Sequence, residues 1–438
     1  MTRKIIEMKD DVKVLPVVLG TYYNAYSVIR SFGEKGIPSI LITDGQPNFV
    51  EKSKYIYQSF IAENPSKTKI GFINDMVKIG ELLKPIRGML FPTHDDQLLC
   101  LAEYKFKLNQ YFEFPFSEYE TLTNIMDKAK FTEECYNLGI PTIKECLIAS
   151  KEDGSQCLDK LRFPLIIKID MWDDRYIKAL DGKITICHNI KEYNHILDRF
   201  YALAPRGELL VQEYIEDSNH RMPNVNSFSD KNHELKCIFI SEKLRQYPVQ
   251  TGTSVAMIAV DPEDKQYEDI ISYSQKIVEK FQFYGLFGIE FKYDPLDGKY
   301  KVIEMNCRSE FPNYLQVIVG QNMAYNLYCY HLEKNLDIPY YPIYKSASCS
   351  VPFLDWFYNA CLNKLSNKDF VIKEKERKRT LCKPITLYGL EKKDFKAFVK
   401  AYVLAIRTGI AAYLRTKYNI SNSDRIIDKV LKKSKSEK

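Results

Sequence analysis

Glu304, Asn306 and Arg308 stand at alternate positions of Lys299-Tyr300-Lys301-Val302-Ile303-Glu304-Met305-Asn306-Cys307-Arg308, a run with the character of an extended strand. Side chains two apart in a strand share a face, so a carboxylate, an amide and a guanidinium converge on one place. A second carboxylate, Glu290, ends the run Gly288-Ile289-Glu290-Phe291, and Asp294-Pro295-Leu296-Asp297-Gly298 between the two runs has the composition of a hairpin turn. Both acids then face one cavity. Two carboxylates and an amide oxygen make an all-oxygen ligand set suited to Mg²⁺ that carries substrate phosphates. Arg308 beside them supplies a planar fork for a phosphate or a charged intermediate. Glu290 sits among Leu286, Phe287, Ile289 and Phe291, where a lone acid is costly to bury, so a positive charge is expected next to it.

The elements upstream alternate strand and helix. Val14-Leu15-Pro16-Val17-Val18-Leu19-Gly20 reads as a short strand, Asn24 to Lys35 as a helix closed by Gly36, and Ser39 to Asp44 as the next strand, a βαβ unit. Met89 to Asp96 ends a later strand in polar residues, at the edge where open parallel sheets bind ligands, with Gly20, Thr21 and Asn24 at the corresponding first turn. No Gly-x-Gly-x-x-Gly follows the first strand, which argues against a dinucleotide fold.

The Ile-Glu-Phe strand, the hairpin and Glu-Met-Asn-x-Arg resemble the metal and catalytic signature of the ATP-grasp superfamily of carboxylate–amine ligases, and within it the D-aspartate ligases of bacterial cell-wall synthesis. The resemblance runs over roughly residues 14 to 330. It implies an α/β chain with an N-terminal open parallel pre-ATP-grasp domain (1–120), a two-lobed ATP-grasp core made of a lid subdomain (121–205) and a metal-binding subdomain (206–340), and a helical, basic C-terminal segment (341–438). It also implies that Glu290, Glu304 and Asn306 hold Mg²⁺ on ATP, two ions with Mn²⁺ as a substitute, and that Arg308 stabilises the transferring phosphoryl group or the acyl phosphate. Ile125-Met126-Asp127-Lys128-Ala129-Lys130 matches the element whose lysine reaches an ATP phosphate, with Lys128 preferred to Lys130. Lys168, closing Phe163-Pro164-Leu165-Ile166-Ile167-Lys168, matches the strand lysine on the α and β phosphates and joins Arg308 as a catalytic group. Leu209 to Glu216 resembles the adenine hinge. Gln212 is expected at the exocyclic amine, Glu213 and Ile215 as backbone contacts, and Glu216 at the ribose.

Two departures from the family pattern stand out. Ile169 to Ile177 has no glycine-rich phosphate flap, and Glu310 and Phe311 follow the arginine where small polar residues are the family's habit. His220 and Arg221 in a polar loop, and Arg245 between two strands, are further candidates for substrate contact.

The implied reaction is ATP-dependent amide formation through an acyl phosphate. It joins a small amino acid, a D-amino acid such as D-aspartate in the family, to an amine-bearing acceptor such as a peptidoglycan precursor. Other ATP-grasp chemistry, such as carboxylation or peptide or capsule modification, and a non-catalytic nucleotide-binding module at a membrane surface are the alternatives. At 438 residues, with 45% hydrophobic and 27% charged residues, the chain has material for several cores. Its 11 cysteines are scattered without a Cys-x-x-Cys pair, as in a reduced, cytoplasmic protein. No signal peptide and no membrane-spanning run is expected. Residues 341–438 carry 22 Lys and Arg against 9 Asp and Glu. Within them, Phe395 to Tyr418 has a helical apolar stripe flanked by cations, fit for peripheral contact with an anionic membrane. No zinc, helix-turn-helix or RNA-binding motif accompanies that charge, which excludes a nucleic-acid role.

Overall fold

The computed structural model describes residues 13–168, 184–215, 221–247, 253–311, 313–334, 336–344, 346–351, 385–386 and 390–418. Three sheets organise it. The first is parallel, in the order β3-β2-β1-β4-β5, from β1 (Val14–Leu19), β2 (Ser39–Thr43), β3 (Ile56–Ile61), β4 (Arg87–Pro92) and β5 (Phe112–Glu113). Its central strands are apolar on both faces because helices cover both, so Leu15, Val17, Val18 and Leu19 are fully buried. Gly20 ends β1 at φ 143°, and a Cβ there would lie 2.2 Å from Thr93 Oγ1, so only glycine permits this turn beside β4.

The second sheet is antiparallel, in the order β6-β9-β7-β8, from β6 (Glu145–Ile148), β7 (Leu165–Lys168), β8 (Ile184–Cys187) and β9 (Leu209–Glu213). One face packs on the helices Lys151–Cys157 and Ile190–Leu203, with Leu165, Ile167, Leu209, Val211, Leu197 and Phe200 in a core of their own. Strand alternation sends Ile166, Lys168 and Gln212 to the opposite face.

The third sheet has seven strands, in the order β14-β13-β10-β11-β12-β15-β16. These are β10 (Pro223–Ser229), β11 (Phe239–Tyr247), β12 (Thr253–Val260), β13 (Gly285–Asp294), β14 (Lys299–Asn306), β15 (Ala347–Ser350) and β16 (Ile385–Thr386). The expected hairpin is present: β13 and β14 pair antiparallel, with a register shift between Glu290 and Phe291. Two short strands from the basic C-terminal segment, β15 and β16, extend this sheet. The long helix Phe395–Tyr418 of the same segment turns Ala397 and Ala401, both fully buried, toward the first sheet's helical layer. Its entry is fastened there by Asp394, whose carboxylate accepts from Ser53 Oγ at 2.5 Å and from the Lys54 backbone N–H at 2.9 Å.

Candidate active site

A cavity of about 400 Å³ lies between the second and third sheets. Lys128, Lys168, Gln212, Glu213, Ile215, Glu290 and Glu304 all line it, although the sequence spreads them over more than a hundred positions.

The acidic side is made by the hairpin. Glu290 and Glu304 are cross-strand partners, which sets their side chains on one face with Cβ atoms roughly 5 Å apart. Burial first, then the adjacent Glu290 carboxylate, push the Glu304 carboxyl above its ordinary value, while Lys128, Lys243 and Lys168 pull it down. The positive charge expected beside Glu290 is Lys243 of β11, whose Nζ is 2.7 Å from Glu290 Oε2. Burial lowers the Lys243 pKa, and Glu290, Glu304 and Glu310 together more than offset that, so the net shift is upward.

Asn306 and Arg308 do not reach the cavity wall. Asn306 Nδ2 donates to Glu304 Oε1 at 3.5 Å and to Glu310 Oε1 at 2.8 Å. Arg308 makes a bidentate pair with Asp95, at 2.7 and 3.1 Å, which ties the chain just beyond β14 to the first residue of the helix Asp95–Glu103 that follows β4. The donor set fits a hard divalent cation. Two neighbouring carboxylates are in repulsion that such an ion removes, and the amide adds a neutral oxygen. Among the described residues no group of three His, Cys, Asp or Glu side chains is arranged to hold a metal, so the set stays at two acids and an amide.

The basic side comes from three elements. Asp127 caps the helix Lys128–Asn137 by accepting from the Lys130 backbone N–H at 3.1 Å, which makes Lys128 the first helical residue. Lys128 then lines the cavity, whereas the Lys130 ammonium bonds Asn124 Oδ1 at 2.7 Å. Lys168 ends β7, with its ammonium donating to Gln212 Oε1 at 2.7 Å. Gln212 Nε2 donates in turn to Glu145 Oε2 at 2.7 Å. Burial and then Lys128 hold the Lys168 pKa down. Lys292 of β13 adds a fourth amine, 4.8 Å above the Tyr214 ring, with its pKa pushed down to about 8 by burial and by Lys243 and Lys168. Ammonium groups that depress one another in one cavity are what a polyanion stabilises.

At the hinge, the Glu213 carboxylate takes the Arg162 backbone N–H at 3.1 Å and its guanidinium at 3.3 Å, and the Tyr214 backbone N–H bonds Pro164 O at 2.8 Å. These bonds fix the hinge backbone against β7, and Ile215 follows it on the wall. Glu216, His220 and the stretch from Ile169 to Ile177 lie outside the described residues. Arg221 stacks 3.5 Å over Tyr293 and bonds Tyr300 Oη at 3.4 Å, a tether on β13 and β14. Arg245 sits in β11 opposite Ala256.

Sequence reasoning missed Lys243, Lys292 and Asn224 as cavity residues. The alternation that exposed Glu304, Asn306 and Arg308 also runs through Gly288, Glu290 and Lys292 on β13, so Lys292 was within reach. Lys243 and Asn224 needed the pairing of β10 with β11 and β13. Glu310, noted only as a departure from the family, proves to be buried on the cavity wall. Burial and then Glu290 raise its pKa to about 7, against Asn224, Arg308 and Asn226.

Residues 127–319 match the family model described as the carbamoyl-phosphate synthase L chain, ATP binding domain. A D-aspartate ligase of Enterococcus faecium (strain Aus0004) is 24% identical over 326 residues, covering 71% of this chain and 75% of that protein. An N5-carboxyaminoimidazole synthetase from Staphylococcus aureus superposes with a TM-score of 0.59 at 13% identity, over 84% of this chain and 86% of that one. A biotin carboxylase–β,γ-ATP complex from Campylobacter jejuni gives 0.58 at 15% identity, over 74% and 72%. At these identities the structural likeness carries the fold, and the family match falls on the segment that supplies Lys128, Lys168, the hinge, Lys243 and the acidic hairpin. Residues 127–319 thus carry an ATP-binding domain like that of the carbamoyl-phosphate synthase L chain, in a chain that resembles D-aspartate ligase over 71% of its length.

Proposed function

We propose that this chain forms an amide bond at the expense of ATP, releasing ADP and phosphate, with a small amino acid as carboxylate donor and an amine on a larger acceptor. The observation that carries the reading is the pairing of Glu290 with Glu304 across a cavity whose other wall is lysine. An acidic hairpin facing a basic wall suits Mg·ATP better than either partner alone. Glu290, Glu304 and Asn306 would hold Mg²⁺, which supplies charge neutralisation at the phosphates when bound. Lys128, Lys168, Lys243 and Lys292 set their ammonium groups toward the same space and lower the cost of bringing an anionic carboxylate to an anionic phosphate. The hinge backbone at Glu213 and Ile215 would hold the purine edge.

A carboxylate oxygen of the amino acid bonds the γ-phosphorus as the bond to ADP breaks. The acceptor nitrogen then bonds the carbonyl carbon, the carbon–oxygen bond to phosphate breaks, and the amine's proton passes to solvent. Arg308, now bidentate to Asp95 and off the cavity wall, would have to exchange that carboxylate for the transferring group to serve it. The name of the D-aspartate ligase relative supports D-aspartate as the donor, and a peptidoglycan precursor is the acceptor carried over from the sequence resemblance. Mass spectrometry of reactions holding ATP, Mg²⁺, the precursor and either D- or L-amino acids tests this. A mass gain of one D-aspartyl group with stoichiometric ADP is expected. A product that requires bicarbonate instead of an amino acid sinks the reading.

The same proposal places the protein against the inner face of a membrane through its last described helix. No described helix is long and apolar enough to cross a membrane. The outward side of Phe395–Tyr418 nonetheless carries Phe395, 70% exposed, with Val399, Val403 and Ile410, and Lys396, Lys400 and Arg407 run along one border of that row. Apolar side chains bordered by cations match an anionic lipid surface. Vesicles rich in phosphatidylglycerol should carry the protein in flotation, and Val399→Glu with Val403→Glu should release it. Equal flotation by neutral vesicles, or by the double variant, refutes the contact.

A further inference from the structure

Two rows of side chains cross the third sheet beneath the cavity. Asn224 pairs with Glu290 and Glu290 with Glu304, and two residues along, Asn226 pairs with Gly288 and Gly288 with Asn306. Residues two apart on a strand share a face, so the first row reads amide, carboxylate, carboxylate. The second reads amide, gap, amide. Glu310 fills the gap from the turn beyond β14. A Cβ on Gly288 would lie 1.6 Å from Glu310 Oε2 and 2.5 Å from Asn226 Nδ2, so the absence of a side chain at position 288 is what admits the carboxylate.

Once there, Glu310 is only 6% exposed. It accepts from Asn224 Nδ2 at 2.7 Å, Asn226 Nδ2 at 2.5 Å and Asn306 Nδ2 at 2.8 Å. A buried carboxylate is costly unless hydrogen-bonded, and these amides are its compensation. The consequence falls on Asn306. An asparagine can present either its oxygen or its nitrogen to a neighbour. Here the nitrogen is committed to Glu310 and, more distantly, to Glu304. The oxygen, which among the described residues meets Arg308 Nη2 at 3.4 Å, is the end left for a cation.

We propose that Glu310 is a positioning residue that holds Asn306 oxygen-first toward the divalent metal, with Gly288, Asn224 and Asn226 as its built receptacle. The inference rests on the assignment of Glu290, Glu304 and Asn306 as metal ligands. Outer partners of metal ligands are typically worth about 10- to 100-fold in metal affinity. Glu310→Gln keeps the shape but turns an amide nitrogen toward amide donors, and so disturbs the orientation without opening a hole.

Mn²⁺ binding followed by electron paramagnetic resonance at pH 8, on the full chain with a non-hydrolysable ATP analogue, reads the effect directly. Glu310→Gln is expected to weaken Mn²⁺ at least about 10-fold, to raise the half-saturating Mg²⁺ for turnover in proportion, and to leave the KM for the amino acid unchanged. Asn226→Ala loosens the receptacle without adding bulk and is expected to weaken Mn²⁺ about 3-fold, below the loss from Glu310 itself. It keeps the test open should the first variant not fold. Wild-type Mn²⁺ affinity in either folded variant overturns the proposal. A wild-type protein that binds metal and nucleotide but forms no amide would sink the ligase reading and leave this one standing.

Discussion

Glu304→Ala is expected to lower ATP-dependent product formation by about a thousandfold, on the order of 4 kcal/mol of barrier, with the fold intact. The size follows from what the residue neutralises. Phosphoryl transfer leaves the protein little covalent work, so the groups that gather positive charge around the phosphates carry most of the rate. Glu304 is cross-strand to Glu290 and lies within electrostatic reach of Lys128, Lys168 and Lys243, so on the proposed reading its loss removes a metal ligand and unbalances the lysines together. Retention of the fold follows from the sign of its pKa shift. The folded-state value is raised, so any contribution to stability is present below the ordinary carboxylate value near 4.3 and is lost as pH rises through the folded value. At pH 8 the ionised side chain weighs against the fold. In the absence of metal, the alanine variant should therefore melt at or above the wild-type temperature. A coupled ADP assay and a thermal scan at pH 8 decide the matter, and turnover within tenfold of wild type removes Glu304 from the metal site.

What the sequence makes legible here is whatever one strand carries by itself. Glu304, Asn306 and Arg308 announce themselves because alternation within β14 is local, and Lys168 and Gln212 reach the cavity because β7 and β9 bury their other faces in a separate core. Relations set by pairing were hidden. The row Asn224, Glu290, Glu304 depends on how β10 meets β13, a register fixed by burial on both faces of the sheet and not by any neighbouring residue. The register shift between Glu290 and Phe291 is equally silent in the sequence, yet it decides which residues of β14 stand opposite Phe291 and Lys292. The C-terminal segment shows the opposite limit. Its charge and its helical stripe were visible, but β15 and β16 are too short for any periodicity to announce, and they take their place from the edge that β12 offers.

Within the apolar stripe of that helix, Phe398 and Tyr402 pack against the core, and the outward row is Phe395, Val399, Val403 and Ile410. A helix with two apolar sides has no unique moment direction, so the sequence could not say which side the body takes. The small residues Ala397, Ala401 and Ala405 decide it, because they allow the closest approach.

Lys243→Met, unlike Glu304→Ala, is expected to damage stability and turnover together. It should cost about 3 kcal/mol of stability together with about a hundredfold of turnover. Lys243 and Glu290 are 14% and 19% exposed and 2.7 Å apart, so removing the ammonium leaves a largely buried carboxylate facing Glu304 and Glu310 without its counter-charge. Breaking such a pair from one side costs far more than the pair contributes as a whole. The pKa of Lys243 is raised on folding, so its stabilisation is fully present below the ordinary lysine value near 10.4 and is lost only as pH climbs through the folded value. The ammonium itself is charged at both pH 6 and pH 9, so the destabilisation should persist at both in urea titrations and be the larger at pH 9, where Glu310, at about 7, is ionised.

A second readout separates charge loss from mere loosening. Burial, then Lys243, then Lys168 hold the Lys292 pKa at about 8, so in the wild type nucleotide affinity should weaken as pH rises through about 8 and Lys292 gives up its proton. Without Lys243 that repulsion is relieved, and the midpoint should move to higher pH even as overall affinity falls. A midpoint that stays in place would mean that Lys243 and Lys292 do not share one electrostatic cavity, and the lysine wall would then lose its role as a polyphosphate site.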